Sequence, residues 1–515
     1  MEEITSKRKY GLNIVDLVIA STVSIGIVIL SFYTKSFWFD ELCSIQFSAQ
    51  DIKSVVESVS AFELHPPLYF LLLKCWISLC GTSEFILRIF QGLQGFMFII
   101  LSLFLFRKML PNSRYHVFWL LLITSSEFFL FMPMLRYYTL AATFAILSTL
   151  LFFRWLEINN WKWSCLLGFS YLLIIYTDYP SSIIILYHLL YVLFKNRSIF
   201  CRLILIDSIV MIMFLPWMGS TVNQIRGLPN LFPTIAYLNE SPVAIPLKFA
   251  YSIYVCILGE MIYPFEIVAI IVILGLIISV LAGAPIKKWW KQNVTIYSFG
   301  LVIIGVIFTS FIATLIARHL SFFAISSKTF FVLPFLMLFF GVIYTTIKRP
   351  FFKYVLLASF ALANIYGINN WLMNRHFLMA TYAVPWKEVI RDLNGKDGII
   401  LCDESIHYDY YSKQTEGVYP ELINPISVND LSITIQERLI KKRHLTVFLI
   451  LIGRDTSICT IEGEIVDYIQ KTGNLVSLRK YLMIDERYRK IRSMILGRES
   501  YDAKISLYEY EMKMP

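Results

Sequence analysis

Charge is what this chain has least of. Only 16% of its 515 residues are Asp, Glu, Lys or Arg, while 57% are hydrophobic. An average soluble domain is nearer a quarter charged, and mean hydropathy here is +0.64. That shortage excludes a soluble enzyme with one anchor and points to a polytopic membrane protein. Cysteine chemistry is missing too. The eight cysteines are scattered, most of them in apolar runs, with no C-x-x-C pair and no Cys/His zinc spacing, so neither a disulfide framework nor a structural metal is indicated. No internal repeat or low-complexity tract is evident. The N-terminal MEEITSKRKYGLNIVDLVIASTVSIGIVIL lacks a small-residue cleavage site. Its apolar run of about 20 residues spans a bilayer and exceeds a signal h-region, so it is expected to be an uncleaved first span. The net charge is +10. In a membrane protein such an excess belongs in cytoplasmic loops, and no nucleic-acid partner is expected.

What is present is a series of apolar runs of roughly 17–25 residues, some shorter where punctuation is clear. They fall at 14–34, 84–106, 115–133, 137–156, 163–177, 180–195, 200–218, 264–283, 294–316, 328–347 and 351–370. Two weaker apolar helices, 68–80 and 246–259, each carry a lysine (Lys74, Lys248) and are expected at the outer interface. Basic clusters at Lys7–Lys9, Arg107–Arg114, Arg154–Lys162, Lys195–Arg202, Lys287–Lys291 and Lys348–Lys353 all land on one side when about eleven spans are counted. That side is expected to be the cytoplasm. The C-terminus and the loops 35–83, 134–136, 178–179, 219–263 and 317–327 then lie outside. After Trp371 charge returns. PWKEVIRDL reads as a helix, DGIILCD as a strand, ISVNDLSITIQERLIKK as a helix, and HLTVFLILIG and KISLYEYEMK as strands, a small α/β domain. The expected fold is a polytopic α-helical membrane protein with a transmembrane domain over 1–384 and a C-terminal extracytoplasmic α/β domain over 385–515.

Polar residues concentrate in the outer loops. FWFDELCSIQ sets Asp40 and Glu41 side by side just past the first span, where two carboxylates must be solvated, paired or used as a helix cap. ELHPPLYF puts His65 on a stiff corner, because each proline disfavours helix in the residue before it and Pro67 suits a helix start. MLRYYTLAA places Arg136, Tyr137 and Tyr138 at the outer end of a span, where snorkelling and an aromatic belt are the bland alternatives. IYTDYPSS puts Asp178 and Tyr179 in a tight hairpin, with Arg136 one candidate partner for the acid. IARHLSFFAISSKTFFVLPF gathers Arg318, His319 and Lys328. Cations on the outer face run against the positive-inside trend and call for a local anion, either a phosphate or an acid such as Asp178. An acid pair and several cations against an apolar wall suit a lipid phosphate with a sugar attached. The cations neutralise the phosphate leaving group, and a base activates the incoming hydroxyl.

These segments resemble bacterial GT-C glycosyltransferases of the protein O-mannosyltransferase-like and lipid A aminoarabinose transferase-like groups. The resemblance rests on Phe39-Asp40-Glu41, on His65-Pro66-Pro67-Leu68-Tyr69-Phe70, on Gly81-Thr82-Ser83-Glu84 with Arg88, and on Arg136-Tyr137-Tyr138. It extends over roughly the first 200 residues, and the PWKEVIRDL/DGIILCD plan is similar to the family's extracytoplasmic domain. It implies an inverting hexosyl- or pentosyltransferase of the bacterial inner membrane. The donor would be a polyprenyl-phosphate-linked sugar and the acceptor a glycan, lipid or protein. Asp40 maps to the catalytic base, and Glu41 would orient substrate or help bind a metal. The resemblance leaves room for a divalent metal on Glu41 with His65 as a second ligand, and implies no organic cofactor. His65, Arg136, Tyr137, Tyr138, Asp178, Tyr179, Arg318 and Lys328 are the expected substrate-binding residues. Two departures stand out. His65 occupies a position that is lysine in the aminoarabinose relatives, and Lys328-Thr329-Phe330-Phe331 with Pro334 replaces an Arg-Tyr pair, which loses arginine's planar fork. The rival class is a transporter or flippase of lipid-linked saccharides, which should show pseudo-repeated halves and broken helices; the sequence displays neither. A structural or assembly membrane protein would not account for the acid pair or the His-Pro-Pro corner.

Overall fold

A computed structural model describes residues 13–110, 115–231, 244–283, 293–316, 325–375, 382, 384–442, 444–452, 463–482 and 504–513. Two compact units emerge. One comprises Met1–Ser31 with Ser44–Met373, the other Phe32–Cys43 with Asn374–Pro515. The second unit takes in the stretch that carries Asp40 and Glu41.

The first unit is helical. Among the described residues seven helices are long and apolar enough to cross a membrane, and five more apolar helices are shorter. Helices such as Ile14–Thr34 (21 residues) and Glu84–Met109 (26 residues) reach about 30–40 Å at 1.5 Å per residue, a bilayer core or more. Every apolar run expected as a span meets a helix. Tyr138–Ile158 is central, packed along Glu84–Met109 on one side and Trp161–Ile175 on the other. Its polar core contacts are satisfied: His188 stacks flat on Phe152 at 3.9 Å and bonds the hydroxyls of Tyr171 (2.7 Å) and Tyr297 (2.6 Å).

Three of the basic clusters carry residues paired with neighbouring helices of this bundle. Arg107 pairs with Asp16, Lys108 with Glu157 (2.5 Å), and Arg202 donates to the Asn159 carbonyl (2.7 Å).

Two spans are interrupted, contrary to the reading that no helix is broken. The run 115–133 divides into Tyr115–Ile123 and Ser126–Phe131, and Ser125 caps the second piece by accepting from the Phe128 N–H at 3.2 Å. The run 328–347 starts at Ile325 and passes through a 3-10 turn, Phe330–Val332, before Leu333–Thr346. The loop 35–83 also holds more helix than expected: Phe39–Ser48 and Ile52–Phe62 precede the anticipated Leu68–Cys80.

The second unit is a five-stranded mixed sheet in the order β2-β1-β3-β5-β4. Its strands are β1 (Ile399–Cys402), β2 (Glu421–Leu422), β3 (His444–Ile452), β4 (Asn474–Leu482) and β5 (Lys504–Lys513). β1 runs parallel to β2 and β3, while β5 is antiparallel to β3 and β4. Helices Trp386–Leu393 and Val428–Lys442 appear as expected; Ser405–Gln414, Gly463–Thr472, β2 and β4 were not anticipated. The core gathers Ile399, Leu401, Leu431, Ile435, Val447, Leu449, Ile465 and Ile469.

Residues 32–43 are held by this unit. The Phe37 N–H donates to the Tyr411 hydroxyl at 2.6 Å, the Lys387 N–H to Ser36 Oγ at 3.1 Å, and Trp38 packs edge-on against Tyr382 at 4.8 Å.

Gly398 opens β1 with φ +144°, and a Cβ there would stand 2.2 Å from the Thr446 carbonyl oxygen. Gly398→Ala is therefore expected to destabilise the second unit by roughly 2–3 kcal/mol. Protease resistance of residues 384–513 measured against temperature should fall at a lower temperature than in the native chain.

Candidate active site

A polar cluster in the first unit forms where three chain segments turn. Helix Ile52–Phe62, capped at its start by Asp51, ends at Glu63, whose extended backbone (φ −105°, ψ 159°) leads into the His65-Pro66-Pro67 corner. The Leu68 N–H donates to the Tyr176 carbonyl at 3.0 Å and fixes that corner to the hairpin bearing Asp178. The third segment, 132–137, links the short helix Ser126–Phe131 to Tyr138–Ile158. Two side chains from Glu84–Met109 hold it: Arg88 donates to the Pro133 carbonyl (2.8 Å) and Gln91 to the Arg136 carbonyl (3.2 Å). Arg88 is aligned by Glu84, one turn before it, at 3.3 Å.

Arg136 is the hub. Its guanidinium meets Glu63 in a two-pronged ion pair, at 2.8 and 3.2 Å, and donates to Ser44 Oγ at 2.9 Å. The pair is buried, with Arg136 3% and Glu63 9% exposed. Glu63 was not singled out in the sequence, although it stands two residues before His65; an acid at a helix end is too common to flag. Arg136 therefore pairs with Glu63, and Asp178 pairs with a different cation.

That cation is Lys328. Its ammonium lies 3.8 Å from Asp178 Oδ1, donates to His65 Nε2 at 3.2 Å and to the Tyr137 hydroxyl, and sits 4.6 Å from the Tyr137 ring centre. Tyr138 flanks it at 5.9 Å. The second oxygen of Asp178 accepts from the Ser181 N–H at 2.9 Å. An ammonium has only protons to give, so His65 Nε2 must be the bare, accepting nitrogen. The imidazole proton is then on Nδ1, which faces Asp178 Oδ1 at 3.8 Å. His65 is neutral for two reasons that agree: burial, and the charges of Lys328 and Arg136, hold its pKa well below the usual value. Asp178 is pushed up by burial, and Lys328 draws it part of the way back.

The structure thus brings His65, Arg136, Tyr137, Tyr138, Asp178 and Lys328 together and adds Glu63. Arg136 and Lys328 are offset by Glu63 and Asp178, so the cluster is close to electroneutral. Tyr179 turns elsewhere: its hydroxyl takes a bond from Trp217 (2.8 Å) and donates to Gln224 (2.9 Å), which ties the hairpin to helix Phe200–Leu231. Arg318 lies outside the described residues. The segment that carries Lys328 is positioned from behind: Ser326 donates to the Glu260 carboxylate, and the Glu260 N–H donates to Glu127 at 2.8 Å.

Asp40 and Glu41 belong to the second unit, at the start of helix Phe39–Ser48. Glu41 reaches back to accept the Trp38 N–H at 2.9 Å, half of a capping box. Asp40, next to it, is half-buried. Among the described residues no three His, Cys, Asp or Glu side chains converge as metal ligands.

No protein-family model matches the chain, and no curated protein does. The solved structures to which it is similar include ArnT from Cupriavidus metallidurans bound to undecaprenyl phosphate. The identity is 11% and the TM-score 0.46, over 96% of this chain and 97% of that one. An Archaeoglobus fulgidus oligosaccharyltransferase tethered to an acceptor peptide matches at 12% identity and TM-score 0.40, over 85% of this chain and 69% of its own. The mycobacterial arabinofuranosyltransferase AftD matches at 13% and 0.41, over 97% of this chain and 40% of its own.

Two outcomes follow from the cluster. Glu63→Ala leaves the buried Arg136 guanidinium uncompensated and should cost about 3–5 kcal/mol, whereas the joint change Glu63→Leu with Arg136→Met should recover most of it. Thermal unfolding in detergent measures both. The unfolded chain protonates His65 below about pH 6.5 and the native chain does not. Stability should therefore decline as pH falls through that value, and His65→Gln should flatten the decline between pH 7.5 and 5.5.

Proposed function

We propose that the chain is an inverting glycosyltransferase. It moves a sugar from a polyprenyl-phosphate donor to an acceptor at the outer face of a bacterial cytoplasmic membrane, with its C-terminal domain on that same side. The observation that carries this reading is Lys328: a buried cation, held by two aromatic rings and a neutral imidazole, whose acid partner stands at 3.8 Å. The Arg136–Glu63 pair is closed and two-pronged at 2.8 and 3.2 Å, so it is the framework. The looser pair is the exchangeable one. A donor phosphate takes over Lys328 from Asp178, whose carboxylate keeps the Ser181 N–H. Lys328 then neutralises charge that builds on the phosphate as its bond to the anomeric carbon breaks. The hydroxyl of Tyr137 and the ring of Tyr138 fix where the ammonium points.

Asp40 is the proposed base. It takes the proton of the acceptor hydroxyl as that oxygen attacks the anomeric carbon from the face opposite the leaving phosphate, which inverts the configuration. Glu41 is committed to the Trp38 N–H and acts by orienting the turn that presents Asp40. The sugar and the acceptor (glycan, lipid or protein) are left open by this chemistry.

The transporter reading is favoured by the two interrupted spans. One assay separates the two readings. The purified chain in detergent, with no second compartment, is given radiolabelled polyprenyl-phosphate sugar and cell-envelope extract as acceptor. Loss of label from the lipid identifies the transferase, and an intact donor identifies the transporter. In that assay Lys328→Ala should raise the donor KM at least tenfold, and Lys328→Arg should recover part of it. Asp40→Asn should lower kcat by roughly 10²–10⁴ with little change in donor KM. Unchanged turnover in folded Asp40→Asn protein removes Asp40 as the base.

A further inference from the structure

A second charged recess lies in the C-terminal unit and has no part in the reaction above. It is a cavity of about 190 Å³ lined by Tyr33, Lys35, Asn374, Lys387, Glu388 and Arg391 among others. That is small beside the 300–1,000 Å³ typical of organic ligands and is on the scale of a phosphate headgroup. Tyr33 and Thr34 are the last two residues of the apolar helix Ile14–Thr34, so the recess opens where a membrane span ends. Tyr33 is 75% exposed there, as an interfacial aromatic is.

Three cations meet one acid, Glu388. The plain explanation is that cations complement the C-terminal end of a helix. It accounts for Lys387, whose ammonium donates to the Phe32 carbonyl and lies 5.0 Å over the Phe32 ring, and Lys35 donates to Asn374. It covers Arg391 as well, in the last turn of helix Trp386–Leu393, but it does not require three cations from two helix ends to line one cavity. Arg391 sits one turn beyond Lys387 on helix Trp386–Leu393, on the same face, exposed, and lining the same cavity.

We infer that this recess binds the phosphate of an anionic membrane phospholipid. Lys387 and Lys35 form its base, and Arg391 closes over the phosphate from the solvent side. The inference is independent of the transferase reading.

The test uses the full chain in neutral detergent, with lipid binding followed by native mass spectrometry and by thermal shift. The probes are phosphatidylglycerol, phosphatidylcholine, undecaprenyl phosphate and inorganic phosphate. The native chain should bind phosphatidylglycerol in preference to phosphatidylcholine. Arg391→Glu, an exposed change that leaves the basal melting temperature in place, should weaken phosphatidylglycerol binding about tenfold, and Lys387→Arg should retain it. Lipid held by basic loops elsewhere is common to all variants and cancels in the comparison. Equal phosphatidylglycerol binding by native and Arg391→Glu chains overturns the site. So does inorganic phosphate protecting as well as the lipid, which would make it a free-anion site. If undecaprenyl phosphate is the lipid whose binding Arg391→Glu selectively removes, the recess serves the donor and the inference fails.

Discussion

The ion pair between Arg136 and Glu63 sets the terms for everything around it. A guanidinium this deeply buried is tolerable only with a carboxylate in two-pronged contact, so the end of helix Ile52–Phe62 and the turn 132–137 are obliged to meet. Once they meet, the His-Pro-Pro corner has one course to follow, and His65 arrives face to face with Tyr137 at 4.0 Å. Lys328 then has a tyrosine hydroxyl and an imidazole nitrogen waiting for its protons. Remove one partner and leave the other charge buried, and the other contacts lose the frame that makes them coincide.

Pairing inside a low-dielectric wall also explains why so many charges persist on this side of the bundle. Two cations matched by two acids cost far less to bury than unmatched charges would, and a neutral histidine adds no further charge. An incoming anion therefore enters a balanced site and must displace an acid to stay. Under the proposed transferase reading, this favours a ligand with a full negative charge over neutral lipids, whose headgroups offer Lys328 nothing better than Asp178 does.

Much of this was legible in the sequence, and the reasons for success and failure are physical. The spans were readable because apolar length is a direct requirement of the bilayer, and two residues of one basic cluster are paired in the structure, Arg107 with Asp16 and Lys108 with Glu157. The two helix breaks were not readable, because Ser125 and the Phe330–Val332 turn leave hydropathy unchanged. Strand β4 escaped notice because it is an exposed edge whose side chains show no buried face. In the site, Arg136, Lys328, Asp178 and His65 drew attention as polar residues in the wrong place. Their pairing did not, since Glu63 and Asp178 are equal candidates for either cation until the backbone decides. The protonation of His65 was likewise undetermined in the sequence; it follows from which neighbour points a proton at it.

The hydrogen bond from Phe37 to Tyr411 joins residues separated by 374 positions. Its consequence lies in the order of synthesis. The stretch bearing Asp40 leaves the ribosome with the first helix, yet the tyrosine that anchors it, and the sheet that supports that tyrosine, are made near the end. β5 closes between β3 and β4 and is the last strand to appear. Throughout translation, then, the acid pair waits at the membrane without its scaffold. A chain that stalls before Lys504 has made Tyr411 but not the strand that closes the sheet behind it.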